Sequence, residues 1–347
     1  MIGLVLAGGG VKGAYQVGAY FAFKKCKIKI DGVVGTSIGS FNAAMIASNK
    51  ENELYNFWKN VNVGELLNFN TKYVDSVNNK DKFKELIYGI EQMSQIVKNK
   101  GINTTNLKNL LKEMIDEEKI RQSYMDYGLV TVRVKDLKPL YLFKEDMKEG
   151  KMAEYILASC NLPVFKMEKV IDNNFYIDGG FYDNNPINML LKKGYDKIYS
   201  VDIQGIGFKQ KIIDEKKVIR IEPTRFLGST LSVNKKKINE NIKLGYFDTL
   251  KILKNYDGYN FIFKKHSNLL YNILASKVPN DLYKRVKRYF RAKNNKELII
   301  KALEYTLIKE DLTYFNIYKV LKHIKYVKIE TNNKHFVYEF VRSLKLL

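Results

Sequence analysis

The chain has 347 residues, 46% hydrophobic and 28% charged, enough for a sizeable core and for one large and one small domain. Its 59 lysines and arginines against 37 aspartates and glutamates leave a net charge of +22, which favours a polyanionic partner, either nucleic acid or an anionic membrane surface, although a lysine-rich solvated surface explains the same count. No apolar run reaches the roughly 18 residues of a membrane span, residues 1–7 are too short for a signal peptide, and Cys26 and Cys160 lack metal-ligand spacing. The expectation is a cytoplasmic protein with free thiols, able to act peripherally at the inner membrane face.

In chain order, residues 2–7 form an apolar run that ends in Gly8-Gly9-Gly10-Val11-Lys12-Gly13, and a helix is expected from about Gly13 to Lys25. A second apolar run, residues 28–34, ends in Gly35-Thr36-Ser37-Ile38-Gly39, followed by a helix over residues 38–48. This is a βαβ unit with a further helix, which implies a parallel sheet. Residues 50–125 are mostly helical in pattern; Leu107, Leu110, Leu111, Met114 and Ile115 recur at helical spacing behind Asn103-Thr104-Thr105. Strands are expected at 128–134 and 140–143, and a helix from Met152 to Ser159 stops ahead of Leu162-Pro163. Residues 175–180 read as a short strand broken by the turn Asp178-Gly179-Gly180. Asp183-Asn184-Asn185-Pro186 then opens another helix, and residues 197–203 and 217–221 read as two more strands. Beyond Asn255 aromatic and aliphatic residues at helical spacing alternate with cations, with about 19 basic residues against about 8 acidic ones. The domains read as 1–255, an α/β domain, and 256–347, a basic and mainly helical region.

The two glycine turns carry the chemistry. A serine hydroxyl attacks poorly unless it is exposed, aimed and relieved of its proton. A strand-to-helix elbow with small flanking residues, Gly35 and Gly39, presents Ser37 in that way, beside the free N–H groups of a helix start. The Gly8, Gly9, Gly10 loop, running to Gly13 with Lys12 in it, offers backbone N–H groups to an oxyanion. The same Gly8, Gly10 and Gly13 also fit a dinucleotide-binding fingerprint, with Asp31 near the position of a ribose-binding acid. No histidine precedes His266, so Asp178, at the tip of a strand, is the candidate base for Ser37. On its own, Asp178-Gly179-Gly180 is more often an ordinary turn than a catalytic one.

Taken together and in this order, Gly8-Gly9-Gly10-Val11-Lys12-Gly13, Gly35-Thr36-Ser37-Ile38-Gly39 and Asp178-Gly179-Gly180 resemble the patatin-like phospholipases. Ala158-Ser159-Cys160-Asn161-Leu162-Pro163 and Asn184-Asn185-Pro186 are similar to the stretches around the family's aspartate turn, whereas Val11 and Asn161 depart from its usual residues. The resemblance covers about residues 1–255. It implies a three-layer α/β/α fold with a mainly parallel sheet and a Ser37–Asp178 dyad. It also implies an oxyanion site at Gly8, Gly9 and Gly10, and no metal or organic cofactor. The implied reaction cleaves acyl esters of phospholipids or other lipids through an acyl-serine. The competing functions are a dinucleotide-binding oxidoreductase and a non-catalytic membrane-binding protein.

The basic C-terminal region reads either as a membrane-docking face or as a helical cap with solvated lysines; no nucleic-acid-binding module is recognisable in it. His266, His323 and His335 are expected to be structural or on the surface. Phe57 and Trp58 are expected in the core, with a lid over an acyl pocket as the alternative.

Overall fold

The computed structural model describes residues 1–66 and 101–345. In chain order the first unit contains β1 (Ile2–Leu6), α1 (Ala14–Lys25), β2 (Gly32–Thr36), α2 (Ile38–Ala47), α3 (Glu51–Asn60), α4 (Val63–Leu66), α5 (Thr105–Met114) and α6 (Glu117–Gln122). These are followed by β3 (Asp126–Arg133), β4 (Lys138–Phe143), α7 (Met152–Ser159), β5 (Lys169–Ile171), β6 (Asn174–Asp178), α8 (Ile187–Lys192), β7 (Lys197–Val201), β8 (Val218–Ile221) and α9 (Lys235–Leu253). The helical pattern read over residues 67–100 lies outside the described residues.

Eight strands form one mixed sheet in the order β5-β6-β3-β2-β1-β7-β8, with β4 also paired to β3. The five strands β3, β2, β1, β7 and β8 are parallel to their neighbours, whereas β4, β6 and β5 add antiparallel pairs at the far side. All of β2 and nearly all of β1 are buried, as expected for parallel strands covered by helices on both faces. One such layer packs Val5, Val34, Val130 and Ile198 against Ile187, Met189 and Leu190 of α8. Pro139, which cannot donate to a ladder, sits in β4, a partly exposed strand paired on one side only. The second strand begins at Gly32, later than the apolar run at 28–34, and continues to Thr36. It is therefore the elbow itself that ends the strand.

The chain divides into two units, Met1–Tyr246 and Phe247–Leu347. The division falls inside α9, not at residue 255 where the composition changes. The second unit consists of the end of α9, a short parallel strand pair, β9 (Ile262–Phe263) with β10 (Ile317–Tyr318), and five further helices. These are α10 (Asn268–Ala275), α11 (Asn280–Phe290), α12 (Asn295–Lys309), α13 (Val320–Glu330) and α14 (Phe336–Ser343). Their shared core includes Phe261, Phe263, Tyr271, Leu298, Leu303, Val327 and Phe340. Two of its polar groups are built into that core. Glu304 accepts the Tyr259, Asn260 and Phe261 amides at 2.6, 2.9 and 3.1 Å. His323 is paired with the Thr306 hydroxyl at 2.9 Å, and burial lowers its pKa to about 4, so the ring is neutral near pH 7. His335 has a local role, its Nδ1 accepting the Val337 amide at the start of α14.

Candidate active site

The elbow is a strained turn held from several sides. Ser37 lies between β2 and α2 with φ 55° and ψ −131°, a conformation outside the ordinary wells that costs on the order of 1–3 kcal/mol and persists only where the surroundings enforce it. Crowding explains the flanking glycines. A methyl on Gly35 would fall on the Gly39 carbonyl, and one on Gly39 would fall on the Leu6 carbonyl. The Ser37 amide donates to Ser159 Oγ at 3.0 Å, and that hydroxyl donates to the Val130 carbonyl at 2.7 Å. Ser40 Oγ donates to the Ser37 carbonyl at 2.6 Å. The main chain of Ser37 is thus tied down, while its side chain takes no part in capping α2.

Register brings Asp178 to this turn. β3 carries β4 along one edge, and β2 and β6 share the other. Thr36 of β2 stands opposite Val130 in parallel pairing, and Asp178 of β6 stands opposite Thr131 in antiparallel pairing. The two strands therefore run toward each other along one edge and end at adjacent residues of β3. Ser37 follows one end and Asp178 forms the other. The Asp178 amide donates to the Asn161 carbonyl at 2.8 Å. Its Oδ1 accepts the Gly180 amide at 2.7 Å, and its Oδ2 is buried without a hydrogen-bond partner among the described residues.

Burial raises the Asp178 pKa to about 6, against the opposing pull of the neighbouring Ser37 hydroxyl and the Gly180 amide. The adjacent Cys160 thiol is pushed far up by burial and then by the Asp178 charge. It therefore stays protonated and unreactive.

The glycine loop is fastened against the same turn. The Gly8 amide donates to the Asn184 carbonyl at 3.0 Å, and Asn184 Nδ2 returns a bond to the Gly8 carbonyl at 3.2 Å. The Val11 amide is taken by the Thr230 carbonyl at 2.9 Å. Gly10 has φ 58°, which suits glycine, and any side chain there would strike Thr230. The Gly9 and Gly10 amides donate to nothing among the described residues. Lys12 Nζ donates to the Gln204 carbonyl at 3.2 Å.

Behind the loop, Asn42 bonds the Gly13 carbonyl at 3.0 Å and receives the Trp58 indole N–H at 3.0 Å. Trp58 is thus a core residue bracing the loop, and it packs edge-to-face on Phe57.

Sequence reasoning placed Ser159, Asn161 and Asn184 in similar segments without giving them work. Ser159 and Asn161 hold the two strand ends, and Asn184 ties the glycine loop down. The neighbouring Asp183 takes the Thr36 hydroxyl on its carbonyl at 2.8 Å and the Tyr141 hydroxyl on its carboxylate at 3.1 Å. Burial raises its pKa as well. The available signal was a polar side chain inside an otherwise apolar helix end.

Asp31 lies elsewhere. Its carboxylate accepts the Ile2 amide at 2.8 Å, at the entrance of β1, whereas the glycine loop leaves the exit of that strand. A ribose-binding acid must stand at the loop's own end of the sheet, so the dinucleotide reading fails on geometry. No cluster of His, Cys, Asp or Glu among the described residues has the grouping of a metal site.

A mostly parallel α/β sheet with a strained serine elbow, a buried aspartate and a glycine loop at one strand end defines a hydrolase-type α/β architecture. The chain belongs to the patatin-like phospholipase family, a family of lipid hydrolases, whose sequence profile matches residues 4–191. Lysophospholipase nte1 of Aspergillus terreus is 26% identical over 207 residues, which cover 59% of this chain and 12% of that protein. Patatin-like phospholipase domain-containing protein 7 of Rattus norvegicus is 24% identical over 204 residues, 58% of this chain and 13% of that protein. The chain therefore spans only about an eighth of the length of these curated relatives. Among solved structures, VipD from Legionella pneumophila superposes with a TM-score of 0.46 at 14% identity, over 98% of this chain and 83% of that one, a distant likeness.

Proposed function

We propose that this chain hydrolyses acyl esters of lipids, of the phospholipase A or lysophospholipase kind, through a Ser37–Asp178 dyad. The observation that carries the reading is the Asp178 carboxylate, buried beside the Ser37 turn with one oxygen unpaired and a pKa of about 6. Such a group is ionised near neutral pH, holds a proton only weakly, and has an acceptor free for it.

In the first half-reaction Ser37 Oγ attacks the ester carbonyl carbon and its proton passes to Asp178 Oδ2. The tetrahedral oxyanion is met by N–H groups of the glycine loop. Those of Gly9 and Gly10 are assigned this work, because the Gly8 amide is committed to Asn184. Collapse breaks the C–O bond, the departing alcohol takes the proton from Asp178, and the acyl group stays on Ser37. In the second half-reaction Asp178 accepts a proton from water as it attacks the acyl-serine. The fatty acid leaves and the proton returns to Ser37 Oγ. Every step uses only this chain's groups, the ester and water.

The test is hydrolysis of a short-chain ester. Ser37→Ala and Asp178→Asn should each lose activity while remaining folded, and wild-type kcat/KM should fall about tenfold per pH unit below pH 6. Normal turnover by the Ser37→Ala protein contradicts the assignment.

A further inference from the structure

After β7 the chain lies against the glycine loop and the Asp178 turn, with its backbone engaged and several apolar side chains exposed. Gly205 is packed so closely on Gly8 and Gly9 that a side chain there would fall on the Gly8 carbonyl. Three residues on, the Phe208 amide donates to the Gly180 carbonyl at 2.9 Å, and the Phe208 carbonyl accepts the Asn184 amide at 2.6 Å. Gln210 Nε2 then donates to the Tyr182 carbonyl at 2.7 Å. The segment thus bridges the glycine loop and the Asp178 turn, and its backbone is fixed from both sides.

Ile206 is nevertheless 83% exposed, Phe208 68% and Ile213 61%, and next to them Phe181 and Tyr182 are 44% and 38% exposed. One exposed apolar side chain needs no explanation. Five on a pinned segment and the turn beside it mark a surface that meets something apolar. The surrounding charge specifies what. Lys209 is paired with Asp202, Glu215 is held by Arg220, and Asp214 caps the Lys216 amide. The exposed Lys211 and Lys216 ammonium groups have no acidic partner among the described residues. Apolar tips flanked by free cations suit a layer that is apolar within and negative at its surface.

We propose that residues 204–213, with Phe181 and Tyr182, seat this chain on an anionic phospholipid bilayer, so that the Ser37 turn opens at the lipid–water boundary. The proposal rests on the lipid-hydrolase reading of the site, but its test does not need turnover. In the full chain carrying Ser37→Ala, cosedimentation is measured with vesicles of phosphatidylcholine and with an equal mixture of phosphatidylcholine and phosphatidylglycerol. Binding should favour the anionic vesicles, and Ile206→Ser with Phe208→Ser should weaken it by about tenfold or more.

Phe208→Trp supplies a conservative second readout, because the natural Trp58 is buried and contributes a constant background. Its emission should shift to the blue on anionic vesicles and be quenched by brominated acyl chains. Unchanged vesicle binding by the double variant, or no quenching of the new tryptophan, overturns the proposal. A fall in oligomer size of the double variant without loss of vesicle binding overturns it in favour of self-association. With Ser37 restored, the double variant should keep its turnover of a soluble short-chain ester while losing hydrolysis of vesicle phospholipid. If the wild type hydrolyses neither, the enzymatic reading fails while the binding result stands on its own.

Discussion

Asp178→Asn should stabilise the fold in a pH-dependent way. The folded protein holds this carboxyl at about 6 instead of its ordinary 3.8, so the folded state binds the proton more tightly than the unfolded chain. The sign follows: the stabilising contribution is complete below pH 3.8 and is lost as pH rises through 6. Raising the group by that interval costs the ionised protein about 3 kcal/mol at pH 8, at ~1.36 kcal/mol per pH unit. By pH 5 about 1.4 kcal/mol of this is recovered through protonation. Asparagine keeps an acceptor for the Gly180 amide and never ionises, so it escapes the penalty. Urea unfolding of the two proteins should therefore show the variant more stable at pH 8, with its advantage shrinking by about 1.4 kcal/mol at pH 5. Other carboxylates titrate equally in both proteins and cancel in the difference. Equal advantages at the two pH values, or a less stable variant at pH 8, would refute the claim that Asp178 is a desolvated carboxylate.

Three further outcomes follow from named contacts. Ser37→Gly removes the side chain from a backbone at φ 55° and should raise stability by about 1 kcal/mol while abolishing esterase activity, as read by calorimetry and ester turnover. Ser159→Ala strips the Ser37 amide of its acceptor. It should cost about 1–3 kcal/mol in unfolding experiments and lower kcat more than it changes KM. In the second unit, Glu304→Ala leaves three loop amides without their shared carboxylate and should lower that unit's stability by about 3 kcal/mol, with hydrogen exchange accelerated at residues 259–261.

The local pieces of the candidate site were legible in the residues themselves, whereas their meeting was expected only through the family resemblance. Apolar runs closed by glycines gave away two strand-to-helix turns, because glycine permits the tight turn and close packing that such a junction needs. Asp178 stood out because no histidine exists in the first 265 residues. Nothing in the pattern said that β2 and β6 share an edge of β3, since strand periodicity reveals a strand but not its partner. For the same reason the commitment of the Gly8 amide to Asn184 was invisible. So was the placement of Asp31 at the wrong end of the sheet for a ribose: counting residues put it near the glycine loop, and only the parallel pairing of β1 and β2 put it at the far end. The C-terminal boundary was read from the change in charge, whereas packing divides the chain within a continuous helix.

The most direct measurement of the central claim is labelling with a fluorophosphonate probe, followed by mass mapping of the modified peptide. The account predicts a single adduct on Ser37, absent from Asp178→Asn at neutral pH and retained when Lys12, which points to the Gln204 carbonyl, is changed to Ala. An adduct on any other serine, or undiminished labelling of Ser37 in Asp178→Asn, would contradict it.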